Sequence, residues 1–559
     1  MKMSGIQIVV EALKKELVDT VFCYPGGTSD NVVNQLTEAD IRFVMYCHEQ
    51  GAAHAADGYA RATGKPGIVF STSGPGSTSL VTGIATAYMD SVPMVIFTGH
   101  GMSANSVNDA YKDVDVFSIT LPITKHSTVV ESVSDLPRTI REAFHLATTG
   151  RCGPVLIDLP IHVQMDIGIF RYPKNIYMRG YNPVYNCHPG QVNKVAKVLA
   201  QANKPVIYAG GGIIYSGAHE ELRQFAEKFS IPVTTTLMGL SGFPTGHPLA
   251  LGMLGMHGTY WANMAVNEAD VIIAAGARFD DRVTGRKSDF AKDATIIHVD
   301  IDPAEIGKNV RADIPIVGDI KQVLTQLLKK PGPENTEPWL AKINEWRRCA
   351  PMRYCQDADG EICPQFVIEQ IYEQTEGKAL ITTEVGQHQM WTAQYYKFNK
   401  PRSFASSGGL GTMGYGFPAS IGVQLGCPDD VVFCIAGDGS FQMNIRELAT
   451  AVKYCLPVKV AIINNQHLGL VRQWQEMFFH SRYSSVVLQK GSPDFVKLAE
   501  AYGALGLRAQ KPSEVIPVLQ KALSTPGPVV IDFRVKTGEN VFPMVPPNCP
   551  INEMVTTAK

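Results

Sequence analysis

Short apolar runs, alternating with longer stretches of helical spacing, constrain this chain more than any other feature. They fall at 20–24, 67–71, 93–98 and 154–158, then at 205–209, 232–236, 271–275 and 295–300, and again at 379–383, 431–436, 458–464 and 528–534. A strand that is apolar throughout is buried on both faces, and strands alternating with helices build a parallel sheet covered on both sides. The expected fold class is α/β: three domains, each a mostly parallel sheet flanked by helices. The expected domains are 1–165, 186–330 and 365–540, with a tail at 541–559. A Tyr-, Pro- and Asn-rich passage at 172–190 reads as one linker, and a Pro/Glu-rich stretch at 330–338, ahead of a helix at 339–348, as part of another. The Pro- and Asn-rich tail is expected to be loop-like.

The 559 residues suffice for several cores. A net charge of -2 gives no reason to expect nucleic acid or an anionic membrane as partner. Eleven cysteines without a C-x-x-C pair point to reduced, mostly buried thiols in a cytoplasmic protein. No apolar run approaches the roughly 18 residues of a membrane span. The first 19 residues lack the apolar region of a signal peptide and read as an amphipathic helix, with Ile6, Val9, Val10, Leu13 and Leu17 on one face.

Two strand ends carry chemistry. The run at 431–436 leads into GDGS, with Gly437, Asp438, Gly439 and Ser440, and the run at 458–464 ends at Asn464 and Asn465. Open α/β sheets bind ligands beyond such ends. A carboxylate, an amide and backbone carbonyls are oxygen donors suited to Mg2+ on a diphosphate; glycines admit close backbone approach, and a following helix offers N–H groups to the anion. The pair resembles the thiamine-diphosphate motif. That resemblance implies Asp438 and Asn465 as side-chain Mg2+ ligands and His467 as a ligand through its backbone oxygen.

HEQGAAHAADGYARATGKPG, from His48 on, resembles the activating-glutamate motif of the same superfamily and nominates Glu49 as the carboxyl beside the cofactor's pyrimidine. VFCYPGG, STSGPGST, VGQHQMW, SSGGLGTMGYGFPASIG, GMLGMHG, GARFDDRVTG and VRQWQEMFF extend the likeness over about residues 5–555, and it is to acetolactate synthase catalytic subunits. The resemblance implies that Gly386, Gln387 and His388 contact the diphosphate. Gly411 would accept from the cofactor's amino group, and Met413 would force its bent shape. Arg282 would hold the acceptor's carboxylate, and Trp474 would size its side-chain pocket. Structural FAD would lie near Gly211, Gly212, Met256, His257, Arg278, Asp300 and Asp319. GGG at 210–212 alone fits equally a flavin-free spacer. The partners implied are small 2-keto acids, further copies of the chain in a homodimer or homotetramer with Glu49 and the metal site on different subunits, and a regulatory small subunit.

The expected function is decarboxylation of pyruvate and carboligation to a second 2-keto acid. The family's TGQVP, DAFQE and DLPKDV read here TGHGM, DAYKD and DLPIHV, which puts His100, Gly101, Tyr111, Lys112 and Ile161 at the substrate side. Either these are neutral changes, or the chain is a related carboligase, decarboxylase or lyase with another acceptor or donor. A catalytically silent binding subunit is disfavoured by the intact Glu49, GDGS and Asn464–Asn465 pair.

Overall fold

A computed structural model describes residues 2–26, 30–100 and 114–557. Three six-stranded sheets dominate it. The first contains β1 (Thr20–Cys23), β2 (Arg42–Met45), β3 (Gly67–Ser71), β4 (Met94–His100), β5 (His126–Val129) and β6 (Pro154–Pro160). The second contains β7 (Pro205–Ala209), β8 (Val233–Thr235), β9 (Ala250–Met253), β10 (Val271–Ala275), β11 (Thr295–Asp300) and β12 (Ile314–Val317). The third contains β13 (Leu380–Thr383), β14 (Phe404–Ala405), β15 (Val432–Gly437), β16 (Lys459–Asn464), β17 (Leu505–Ala509) and β18 (Val529–Arg534). All pairings within these sheets are parallel.

The strand orders are informative. The middle sheet runs β9-β8-β7-β10-β11-β12, the doubly wound order whose switch point lies between β7 and β10. The first runs β2-β1-β3-β4-β6-β5 and the third β14-β13-β15-β16-β18-β17. These two orders are the same when each sheet is counted along its own chain, so the outer thirds share one topology. In each, a helix connects the second strand to the third: α1 (Glu49–Thr63) in the first and α2 (Gly416–Gly426) in the third. The two helices pack on each other with backbones almost touching. A Cβ on Gly422 would run into the Ala55 carbonyl, and one on Gly58 into that of Ala419.

The N-terminal helix spans Gly5–Lys15, closed by a capping box of Ser4 and Gln7. Ile6, Val9, Val10 and Leu13 are buried, but Leu17 is 82% exposed. It lies past the helix end at φ 58°, so the apolar face stops one turn earlier than the periodicity suggests. A short antiparallel ribbon ties Lys2–Ser4 to Ile167–Ile169, the two ends of the first third. Among its described residues the tail has no helix or long strand, yet Val541, Met544, Val545 and Ile551 are buried, which fastens it to the body. All eleven cysteines are free, and only Cys23, Cys187, Cys363 and Cys434 are buried, fewer than expected. Among the described residues no helix is long and apolar enough to cross a membrane.

Candidate functional site

β15 is buried to its last residue, where Gly437 pairs with Ile463 of β16. That register sets Asp438 beside the end of β16, where the two asparagines divide their work. Asn464 points into the sheet and donates to Asp532 Oδ1 at 2.7 Å. Asn465 faces a small cavity of about 90 Å³. Gly386, Gln387, His388, Met413, Gly437, Asp438, Gly439, Ser440, Asn465 and His467 all line it. The helix Gln387–Tyr395 begins at this wall, so its positive dipole end lies there.

Asp438 is 1% exposed, and its Oδ2 has no hydrogen-bond partner. Burial, foremost, pushes its carboxyl up to about 7. A carboxylate kept in such a place calls for a cation. No group of three or more His, Cys, Asp or Glu placed to hold a metal occurs among the described residues. One carboxylate, one amide and backbone carbonyls remain, a hard-oxygen donor set that fits Mg2+ completed by phosphate oxygens. His388 Nε2 is likewise buried without a partner, and burial drives its ring down to about 3, so it is a neutral imidazole.

A larger cavity, about 990 Å³, opens over the C-terminal ends of the middle sheet. Every strand there contributes to its lining: Gly210 after β7, Thr236 after β8, Met253 of β9, Gly276 after β10, Asp300 of β11 and Gly318 after β12. At the switch point, Gly212 and Gly276 leave no space for a Cβ between their backbones. Gly211, Gly212, Met256, His257, Arg278, Asp300 and Asp319 all line this cavity. Its shape and glycine-walled crevice fit a dinucleotide. His257 is buried with Nδ1 unpartnered, and burial lowers it to about 4; burial raises Asp300 to about 6. Asp319 also caps the helix Ile320–Leu327 by accepting from Gln322 N at 3.2 Å.

Arg282 and Trp474 line the same large cavity, and so does Gly411, the residue expected to accept from the cofactor's amino group. Arg282 is 65% exposed, with Asp281 at 3.9 Å and Met256 Sδ at 3.8 Å, leaving its guanidinium accessible. Trp474 lies on α3 (Gly469–Phe478), whose Leu470 and Val471 line both cavities and form their shared wall. Sequence reading missed that wall. The signal was the helical spacing of Leu470, Val471, Trp474 and Gln475, which share one face.

Glu49 heads α1 behind an N-cap from His48 and is buried, with burial raising its carboxyl above 4.5. A Cβ on Gly76, in the STSGPGST loop, would meet its Oε1 at 2.9 Å. Glu49 lines neither of these two cavities, and neither does Ile161. Gly101, Tyr111 and Lys112 lie outside the described residues.

Comparison with known proteins decides the family. The N-terminal TPP binding domain of thiamine pyrophosphate enzymes matches residues 3–119, the central domain 192–327 and the C-terminal TPP binding domain 384–533. The acetolactate synthase large subunit of Buchnera aphidicola (subsp. Schizaphis graminum) is 46% identical, with 99% of this chain and 98% of the relative aligned. Acetolactate synthase isozyme 3 large subunit of Escherichia coli K12 is 45% identical over 97% of this chain and 96% of its own. The chain belongs to the acetolactate synthase family. As a member of that family it is a thiamine-diphosphate-dependent enzyme of the carboligase type. The small cavity falls inside the region matched by the family's C-terminal TPP binding domain.

Proposed function

We propose that this chain decarboxylates pyruvate and joins the two-carbon unit to a second 2-keto acid. The observation that carries the proposal is the buried, unpartnered Asp438 oxygen beside Asn465 at paired strand ends. Bound thiamine diphosphate supplies the electron sink for decarboxylation. Asp438, Asn465 and the His467 backbone oxygen hold Mg2+, while Gly386, Gln387, His388, Gly437, Gly439 and Ser440 cradle the diphosphate. Met413 and Gly411 would support the cofactor's rings, and Glu49 is the carboxyl that would hold a proton beside its pyrimidine. Arg282 offers a two-pronged guanidinium to the acceptor's carboxylate, Trp474 limits the acceptor's size, and Lys112 lies on the substrate side. Gly211, Gly212, Met256, His257, Arg278, Asp300 and Asp319 would hold FAD, a structural group, in the large cavity.

The family resemblance, with Glu49 outside both cavities, supports a complete site that takes Glu49 from one copy and Asp438 from another, in a homodimer or homotetramer. The relatives named as large subunits support a small regulatory partner, and the free thiols support a cytoplasmic location. The departures at His100, Gly101, Tyr111, Lys112 and Ile161 favour a second reading in which the acceptor differs from pyruvate and 2-ketobutyrate. One experiment tests both. Purified protein is given thiamine diphosphate, Mg2+, FAD and pyruvate with a panel of 2-keto acids, and products are identified by mass spectrometry. Acetolactate formation, lost in Asp438→Ala, is expected. A pyruvate-inert enzyme that acts on another donor would refute the proposal.

A further inference from the structure

Three side-chain amides connect the tail to the candidate cation site, and the backbone dictates which way each one faces. Gln473, wholly buried on α3, accepts at Oε1 from Val541 N at 2.9 Å and donates from Nε2 to Val541 O at 3.0 Å. A backbone N–H only donates and a backbone C=O only accepts, so this amide cannot be turned over. Its Oε1 also receives Gln387 Nε2 at 2.9 Å, and the same Gln387 Nε2 donates to Glu539 O at 3.1 Å. With its NH2 facing two acceptors, Gln387 presents Oε1 to Asn465 Nδ2 at 3.2 Å. Asn465 is thereby fixed with its NH2 toward Gln387 and its Oδ1 on the opposite side, where His467 N donates at 3.1 Å. An amide oxygen has a second lone pair to give to a cation; a reversed Asn465 would offer hydrogens instead.

The chain of amides crosses α3 where its first residue is Gly469. A Cβ there would lie 2.6 Å from Asn465 Nδ2 and collide with Gln387 Oε1. Gln473 itself lines neither cavity, so its influence on the site passes through Gln387.

We propose that Gln473 is a positioning residue that, through Gln387, sets the amide of Asn465 so that Oδ1 faces the cation. This inference rests on the reading of Asp438 and Asn465 as ligands. Mn2+ serves as the probe: the full-length protein, stripped of metal and supplied with thiamine diphosphate, is titrated with Mn2+ and free ion is read by electron paramagnetic resonance. Gln473→Met keeps volume but removes both polar atoms, and the Mn2+ Kd should rise about tenfold, as for other groups that orient a metal ligand. Gln473→Glu, neutral at this buried position, retains an acceptor for Gln387 and an O–H donor for Val541 O and should stay close to wild type. Gly469→Ala, which displaces Gln387 without touching Gln473, should raise Kd similarly. Arg472 holds the same tail segment at Glu539 O and Asn540 but bonds to none of the three amides, so Arg472→Met should raise Kd far less than Gln473→Met. Wild-type affinity in Gln473→Met, or an equal loss in Arg472→Met, overturns the positioning role. Asp438→Ala should abolish Mn2+ binding; if it does not, the ligand reading itself fails.

Discussion

Burial shifts several ionisable side chains toward their neutral forms. His388 and His257 are driven down to about 3 and 4, and Glu384, Asp438 and Glu447 are pushed up to about 7, with burial the foremost cause in every case. Glu384 is wholly buried and accepts from Gly414 N at 2.6 Å and Phe417 N at 3.0 Å, bonds that oppose its rise from 4.5 without cancelling it. A carboxyl whose folded-state value lies above its unfolded one stabilises the fold fully at low pH. That contribution is lost as pH climbs from 4.5 through about 7. In Glu384→Gln, the melting temperature should therefore fall less than in wild type between about pH 5 and about pH 7.5. Parallel profiles would show that Glu384 is already ionised in the fold. Asp438, Asn465, Gln387 and His388 were legible in the sequence because each belongs to a contiguous motif just beyond a strand, whereas the wall of the same cavity formed by Leu470 and Val471 was not. Gln473 was not, because its meaning lies in a hydrogen-bond partner 68 positions away.

The same contrast holds for elements. The twelve apolar runs of the sequence coincide with the interior strands of the three sheets, and the six strands that it did not reveal, β2, β5, β9, β12, β14 and β17, are all sheet edges. An edge strand has one open flank and mixed exposure, as in β2 and β5, so it lacks the continuous apolar run that marks a central strand. Position within a sheet, not strand propensity, decided what could be read. The packing of α1 on α2 was equally hidden: Gly58 and Gly422 look like helix weakeners until the opposing carbonyls are placed. Gly422→Ala should cost about 2 kcal/mol or more by overpacking, measured by denaturant unfolding. An alanine there that raises stability, as helix propensity alone would have it, would show that the helices can move apart.

At the scale of the molecule, the proposed function gives each chain two unlike halves of a site, Glu49 with its glycine loop and Asp438 with Asn465. Glu49→Gln and Asp438→Ala should each be nearly inactive, the former slowed by a factor of about 100 or more. Unfolded and refolded together in equal amounts, they should recover roughly a quarter of wild-type activity. Random pairing gives half the dimers one of each chain, and one of their two sites is whole. No recovery on mixing would place both groups of each site on one chain.

The exclusion of Glu49 from both cavities also has a kinetic meaning. If a whole site exists only while two chains are joined, dilution is a way to silence the enzyme without unfolding it. Specific activity should fall once the protein drops below its dissociation constant, with circular dichroism unchanged, and return on concentration at a rate second order in protein. A specific activity flat to the lowest assayable concentration, at which sedimentation shows single chains, would mean that one chain suffices.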